Sequence, residues 1–478
     1  MWHRGHLVIW LTLAAAIPAG CASEKHAGKR DAVVEVPEEY GVTDIEGIET
    51  EAWCSDFGQS ELDKIVRRAW DESLELKAAW ARLEQAKAQV AQARSQLWPE
   101  LGASAEATAS NATERLPDTL QNGGDGPNVG TRFEATLAAS YEVDLWGKYR
   151  HRAKAAKLEM RATRSNARAL AITLTSRVAG AWFDIVAARQ RLELLEQQIK
   201  VSKELLELTE TRFRHGVASE LDIRQQRQNL ESLKGVRVEA RRKLKTSRHR
   251  LAVLTGTEPG DLRKFSAESL PELPPLPDPG VPADLLQRRP DIKAALFQLR
   301  AADQQTAAAV ADRLPTMDLS ASLFLQAGQI ANLLDDLVWS ASALVSQTIF
   351  DGGRLKAAQR EAESVAEERL YRYGQTLLEA LEDVRNALVG EKYQKERLAS
   401  LRRERKSAKA SLEAARSQYR NGNIDYFRVL DALLRLQEVE RQLLAARRRQ
   451  LAFRVSLCRA IGGSWATELE SSIASENE

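Results

Sequence analysis

Two periodicities alternate along this chain. In TRFEATLAASYEVD, Phe133, Ala135, Leu137, Ala139, Tyr141 and Val143 share one parity, and Glu134, Thr136, Ser140, Glu142 and Asp144 share the other. LVWSASALVSQTI sets Leu337, Trp339, Ala341, Ala343 and Val345 against a largely serine-bearing face. A period of two predicts strands, here at about 131–144 and 337–350, with partners at about 101–111 and 317–327. Such alternation suits the wall of a water-filled barrel in lipid, and a half-buried soluble sheet alternates in the same way. Elsewhere the period lengthens. Leu192, Leu195, Ile199, Ser202, Leu206, Thr209 and Phe213 step by three and four, a heptad seam. Leu194, Val201, Leu205 and Leu208 form a second stripe beside it. As one helix, Lys148 to His215 would extend about 100 Å. Two stripes suit a helix with a neighbour on each side, as in a cylinder of helices. A dimeric coiled coil writes such a seam too, but leaves the strands unexplained.

The whole pattern is written twice. LELKAAWARLEQAKAQVAQARSQLWPELGASAEA from Leu74 parallels PDIKAALFQLRAADQQTAAAVADRLPTMDLSASL from Pro290, with Pro99 and Pro315 shifted by 315 − 99 = 216. Gly147 and Gly353 are shifted by 353 − 147 = 206, as are Gly216 and Gly422, and Gly256 and Gly462. The ten extra residues of the first copy fall in the turn-rich RLPDTLQNGGDGPNVG. A tandem repeat is therefore expected, each copy ordered helix, two strands, long helix, helix. Repeat 1 spans 71–270 with its tip at Gly216, a proline-rich linker spans 271–282, and repeat 2 spans 283–465 with its tip at Gly422. Four strands cannot enclose a pore, and open sheet edges are forbidden in hydrocarbon. In the barrel reading, three chains would close twelve strands.

Charge and chemistry change this picture little. Lys and Arg number 69 against 67 Asp and Glu, so no global field points to nucleic acid. The runs RRERK from Arg402 and RRR from Arg447 read as solvated helix faces. No nucleotide motif, metal-ligand spacing or nucleophile–base pair stands out, so neither a cofactor nor an enzymatic activity is expected. The N-terminus is different: Arg4, the apolar run LVIWLTLAAAI and the small pair before Cys21 describe a secretory signal over 1–20. A cysteine after such a cut resembles a bacterial lipoprotein signal, with Pro18 where Leu is usual and Ala22 as in signals sorted to the outer membrane. A covalent lipid on Cys21 leaves Cys54 and Cys458, which either pair or stay as buried thiols.

PADLLQRRPDI (282–292), YEVDLWGK (141–148) and RAIGGSW (459–465), in order and within a doubled chain, resemble the TolC-type outer-membrane factors. Within that group the chain is similar to the lipoprotein components of tripartite RND efflux pumps. The resemblance implies a mainly α fold with a transmembrane β portion: a homotrimer with four strands per chain in a shared 12-stranded β-barrel, continued by a long periplasmic α-helical barrel. Cys21 to about Trp70, and the tail at 466–478, would join a belt around the tube. It also implies passive efflux through an outer-membrane exit channel lodged in outer-membrane lipid, with a periplasmic adaptor and an inner-membrane RND transporter as partners. Asp144, Trp146, Gly147, Asp351, Gly352 and Gly353 would make the strand-to-helix junctions. Gly216, Val217, Ala218, Ser219, Leu221, Asp222 and Gly422 would form the tip turns and the adaptor-docking surface. Phe427, Arg428 and Asp431 would form the gate. Arg428 stands where some members carry a second acid, so a local Arg428–Asp431 pair is expected. A polypeptide exit duct of the type I secretion class shares this architecture, and a pore-free periplasmic scaffold is the rival from another class.

Overall fold

The computed structural model describes residues 37, 57–110, 130–260, 269–274, 276, 282–334 and 337–463. The signal segment, Cys21, Cys54, most of the repeat 1 loop and of the linker, and the C-terminal tail lie outside them. Helices α1 (Ser60–Glu72) and α2 (Leu74–Ser95) lead into strands β1 (Glu100–Ser110) and β2 (Gly130–Glu142). Helices α3 (Lys148–Arg214) and α4 (Glu220–Leu254) complete the first copy. The second copy runs α5 (Leu285–Arg288), α6 (Pro290–Ala311), β3 (Thr316–Ala327), β4 (Leu337–Ser346), α7 (Arg354–Arg420) and α8 (Tyr426–Ala460). Both long helices contain 67 residues, about 100 Å each. The chain forms two compact units that cut across the repeats: Ala88–Leu158 with Leu299–Glu368, and Val33–Lys87 with Glu159–Gln298 and Arg369–Glu478.

The first unit carries one antiparallel sheet in the order β1-β2-β3-β4. Its register stacks the apolar parity of every strand on one face. Ala103 lies opposite Leu137, Leu137 opposite Leu323, and Leu323 opposite Trp339. The other face is joined by hydroxyls, with Ser320 to Ser342 at 2.7 Å and Ser322 to Ser340 at 2.8 Å. Two strands end earlier than the alternation suggests. Sheet pairing by β4 stops at Ser346, opposite Thr316, because β3 starts there, just after Pro315, which has no N–H to give. The Gln347 side chain instead donates to the carbonyls of Arg313 and Thr348. On the β2 side, Val143 still donates to Met317 (2.8 Å), but Asp144 has turned to accept from the backbone N–H of Tyr149 and Arg150 at the start of α3.

The junctions are capped turns. Trp146 donates its indole N–H to the Pro315 carbonyl (2.7 Å), and Gly147 follows at a φ of 79°. In the second copy Asp351 accepts from the N–H of Gly353 and Leu355, both at 2.9 Å, with Gly352 and Gly353 at positive φ. The Leu355 N–H, helped by that of Gly353 and by the Arg354 charge, outweighs desolvation and holds the Asp351 carboxyl below its usual range.

In the second unit the doubled sequence becomes doubled packing. Ala171, Leu174, Val178, Ala181 and Trp182 of α3 are buried with Leu62, Val66 and Leu76 of α1 and α2. The residues 206 further on, Leu377, Ala380, Val384, Ala387 and Leu388 of α7, are buried with Leu285 and Ile292 of α5 and α6. This explains why one window of α3 is apolar enough to pass for a membrane span: its apolar side chains are core. Arg289, within the sequence RRPD, ties that second core together. It pairs with Asp291 at 2.6 Å and Asp383 at 3.3 Å, and donates to the Ala460 carbonyl at 3.1 Å. Cys458 is buried in the first core.

Gly256 shows how tightly the helix ends meet. A Cβ there would lie 2.2 Å from the Glu72 carbonyl oxygen, at a φ of +68°. Gly256→Ala is expected to cost at least about 2 kcal/mol, seen as a lower melting temperature in circular dichroism. Gly235→Ala, in a helix with nothing within 4 Å of the new methyl, should be neutral or stabilising by up to about 1 kcal/mol.

Candidate functional site at the helical tips

Both hairpins of the second unit turn on the same backbone device. At the end of α3, Gly216 N–H bonds to the Phe213 carbonyl (2.9 Å) and Val217 N–H to that of Arg212 (2.9 Å). At the end of α7, Gly422 bonds to Tyr419 (3.1 Å) and Asn423 to Gln418 (3.0 Å). This double bond closes a helix through a left-handed residue. Gly216 and Gly422 occupy that position at φ values of 72° and 76°. The return helices are then started by caps. Ser219 accepts from Asp222 N–H while the Asp222 carboxylate accepts from Ser219 N–H, a reciprocal box. Asp425 caps α8 by accepting from Arg428 N–H.

The two tips differ in what they expose. Beyond the first turn Val217 and Leu221 are each 61 % exposed, with Phe213 also on the surface and Ala218 half-buried between them. Beyond the second, α8 exposes one stripe: Phe427, Arg428, Leu434, Arg435 and Glu438, with Asp431 half-buried in line. The expected Arg428–Asp431 pair does not form. Asp431 pairs with Arg435 at 3.0 Å. Helical side chains lean toward the N-terminus, so Arg428 leans back past its own cap, away from Asp431, while Arg435 one turn on reaches it.

Behind this stripe lies a network that the repeat pattern does not announce. Tyr426, 1 % exposed, donates its phenol to Gln226 Oε1 at 2.7 Å. The Gln226 amide donates to the Ser202 carbonyl and hydroxyl at 2.7 and 2.8 Å, and Asn229 adds a bond to the same hydroxyl. Tyr419 meets Tyr426 edge to face at 5.7 Å and lies under the Arg212 guanidinium at 4.1 Å. Burial pushes the Tyr426 phenol far above its usual range, and raises Tyr419 also, so both stay neutral. The network joins α8 to α4 and α3, one hairpin to the other. Its trace in the sequence is the pair of polar residues, Ser202 and Thr209, in an otherwise apolar seam.

The sheet presents one continuous apolar face, and the helices of the second unit turn at capped glycines. Among the described residues no group of His, Cys, Asp or Glu gathers as a metal site. Comparison with known proteins gives the family. The model of the outer membrane efflux protein family matches residues 65–257 and 281–463, one segment per repeat, and the chain belongs to that family. The chain is 28% identical over 416 residues to the pyoverdine export outer membrane protein OpmQ of Pseudomonas putida, covering 87% of this chain and 88% of that one. It is 25% identical over 461 residues to the probable outer membrane lipoprotein SilC of Salmonella typhimurium, covering 94% and 97%. Among solved structures, the outer-membrane channel OprN superposes with a TM-score of 0.80 at 27% identity, over 92% of this chain and 96% of that one. The fold is that of the trimeric TolC-like channels. The protein is an outer-membrane efflux channel, and its family role is transport. Neither the polypeptide duct nor the pore-free scaffold is favoured by these relatives.

Proposed function

We propose that three copies of this chain form a passive conduit for small molecules, closed at rest by the exposed stripe of α8. The trimer reading is carried by the sheet. β1 and β4 each have only one hydrogen-bonded neighbour, and all ten residues of β4 are exposed. A one-sided apolar sheet with two open edges is untenable in lipid, and pairing β4 with β1 of the next copy closes twelve strands. Ile349 and Phe350, 96 % and 89 % exposed in the single chain, supply apolar surface just past β4.

At the helical tips, three Phe427 rings make an apolar constriction that dewets. The Asp431–Arg435 pair holds its rim, and Tyr426 with Gln226 acts as a positioning link that keeps α8 against the first hairpin. Opening requires the α8 stripe to move, and no chemical step is involved. The apolar tip patch of Val217 and Leu221, with Ala218, Ser219 and Asp222, offers the docking surface for a periplasmic adaptor bridging to an inner-membrane RND transporter. A lipid on Cys21 anchors the N-terminus to the outer membrane. The lipoprotein relative supports that anchor, as does the signal-like segment before Cys21.

Two measurements test this assembly. A photo-crosslinker at Ala218 should capture the cognate adaptor in cells, whereas one at exposed Lys154 should not; equal capture at both would remove the tip from docking. Mass spectrometry of the mature N-terminus should find an acylated Cys21, and an unmodified or absent Cys21 would refute the anchor.

A further inference from the structure

The gate stripe of α8 does not end at the gate. Phe427, Leu434, Arg441 and Arg448 repeat every seven residues, and Asp431, Glu438, Ala445 and Ala452 repeat beside them. Rows spaced by seven stay on one face of a supercoiled helix. About 21 Å along α8 from Asp431, at Ala445, this face opens into a groove of about 520 Å³ between α3, α4 and α8. Its apolar lining includes Ala187, Ala188 and Leu444.

The charges around that groove do not balance. Its cations are Arg191, Lys243, Arg441, Arg448 and Arg449, and its acids are Asp184 and Glu239. Both acids are already engaged: Asp184 holds Arg448 at 2.8 Å, and Glu239 holds Arg242 at 2.5 Å. Arg441 is held by Glu438 at 2.7 Å and by Gln198 at 3.0 Å. Arg191, Lys243 and Arg449 form no ion pair within 4.0 Å among the described residues, and only the longer-range charges of Glu438 on Arg191 and of Glu239 on Lys243 act on them, so cations exceed acids around the groove. These three come from three different helices. Like charges gathered around a concavity raise the local concentration of the opposite charge, and the alanine-rich floor rewards an apolar body.

We infer that this groove is a way-station for amphipathic organic anions, compounds with a carboxylate, sulfonate or phosphate on an aromatic or aliphatic body, on the inner wall of the conduit. The inference rests on the reading that the exposed face of α8 lines the pore. Its substrate class follows from the excess of cations over acids: Lys243 and Arg449 take the anionic group, with Arg191 beside them, and the floor takes the carbon skeleton. The site gives the conduit a preference of its own, independent of any transporter that feeds it.

The probe is 1-naphthalenesulfonate, with 1-naphthylmethanol as its uncharged counterpart and sodium sulfate as the charge without the skeleton. Titration calorimetry on the purified trimer in nanodiscs should show the sulfonate binding about tenfold more tightly than either control, a difference typical of one desolvated charge contact. Lys243→Glu with Arg449→Glu should weaken it by at least about tenfold. Arg449→Gln alone, a surface change that spares the packing, should weaken it severalfold. In planar bilayers the sulfonate should reduce the current through open channels, and the double variant should relieve that block. Equal binding of the sulfonate and the alcohol, or binding untouched by both variants, overturns the inference. Binding with no effect on current moves the groove off the inner wall and overturns it too. Because binding is read without opening the channel, loss of the gate reading alone would leave the calorimetry intact.

Discussion

Phe427→Ala raises the resting conductance of the reconstituted channel severalfold, and Tyr426→Phe raises the open probability without changing the size of the open step. The two effects differ because the residues act differently. Phe427 stands on the exposed stripe, and removing three rings widens the constriction and lets water wet it. Tyr426 faces away from that stripe and holds Gln226 through one hydrogen bond in a dry site. Deleting its hydroxyl leaves Gln226 Oε1 without its donor at a cost of about 1–3 kcal/mol. If that bond exists only in the closed arrangement, 1.4 kcal/mol shifts the closed-to-open ratio about tenfold. Asp431→Ala, which frees Arg435 from an exposed pair worth about 0–1 kcal/mol, has the smallest effect of the three. Single-channel recording separates the outcomes. Unchanged conductance in Phe427→Ala, together with unchanged open probability in Tyr426→Phe, would remove the α8 stripe from the gate.

Leu323→Arg abolishes the assembled channel, while Ser322→Arg leaves most of it in place. Leu323 sits mid-strand in β3 between Leu137 and Trp339 on the apolar face, and Ser322, its neighbour in sequence, bonds Ser340 on the hydroxyl face. An arginine facing lipid at mid-membrane depth costs about 2–4 kcal/mol, against tolerance on the lumen side. Three copies carry the cost three times in one trimer. Immunoblots of unheated outer-membrane fractions should show the trimer lost for Leu323→Arg, and retained for Ser322→Arg. The reverse order would mean that the sheet presents its hydroxyl face to lipid.

The faces of this sheet were legible because a period of two sorts the side chains into two sets, and a slip of one residue would turn Leu137 and Leu323 onto the hydroxyl face. The end of β4 was not legible. Whether Gln347 to Phe350 stay in the ladder depends on where β3 begins, a fact held 30 residues upstream at Thr316. The tip turns were legible from Gly216 and Gly422, since an αL residue closing a helix calls for glycine. Side-chain partners at the gate were not. Spacing permits Asp431 to meet either Arg428 or Arg435, and the lean of helical side chains toward the N-terminus decides for Arg435. The Tyr426–Gln226–Ser202 network joins residues 200 and 24 positions apart, and no local pattern can pair them. The doubled cores around Val178 and Val384 were implied by the 206-residue shift, although which helices cover them follows only from the fold.

The central claim, that this chain makes a trimeric channel closed at its helical tips, is tested most directly by planar-bilayer recording from the purified trimer, wild type beside Phe427→Ala. The account predicts discrete steps from both, with wild-type steps small and those of Phe427→Ala severalfold larger. A purified outer-membrane trimer that gives no steps in either form would contradict it.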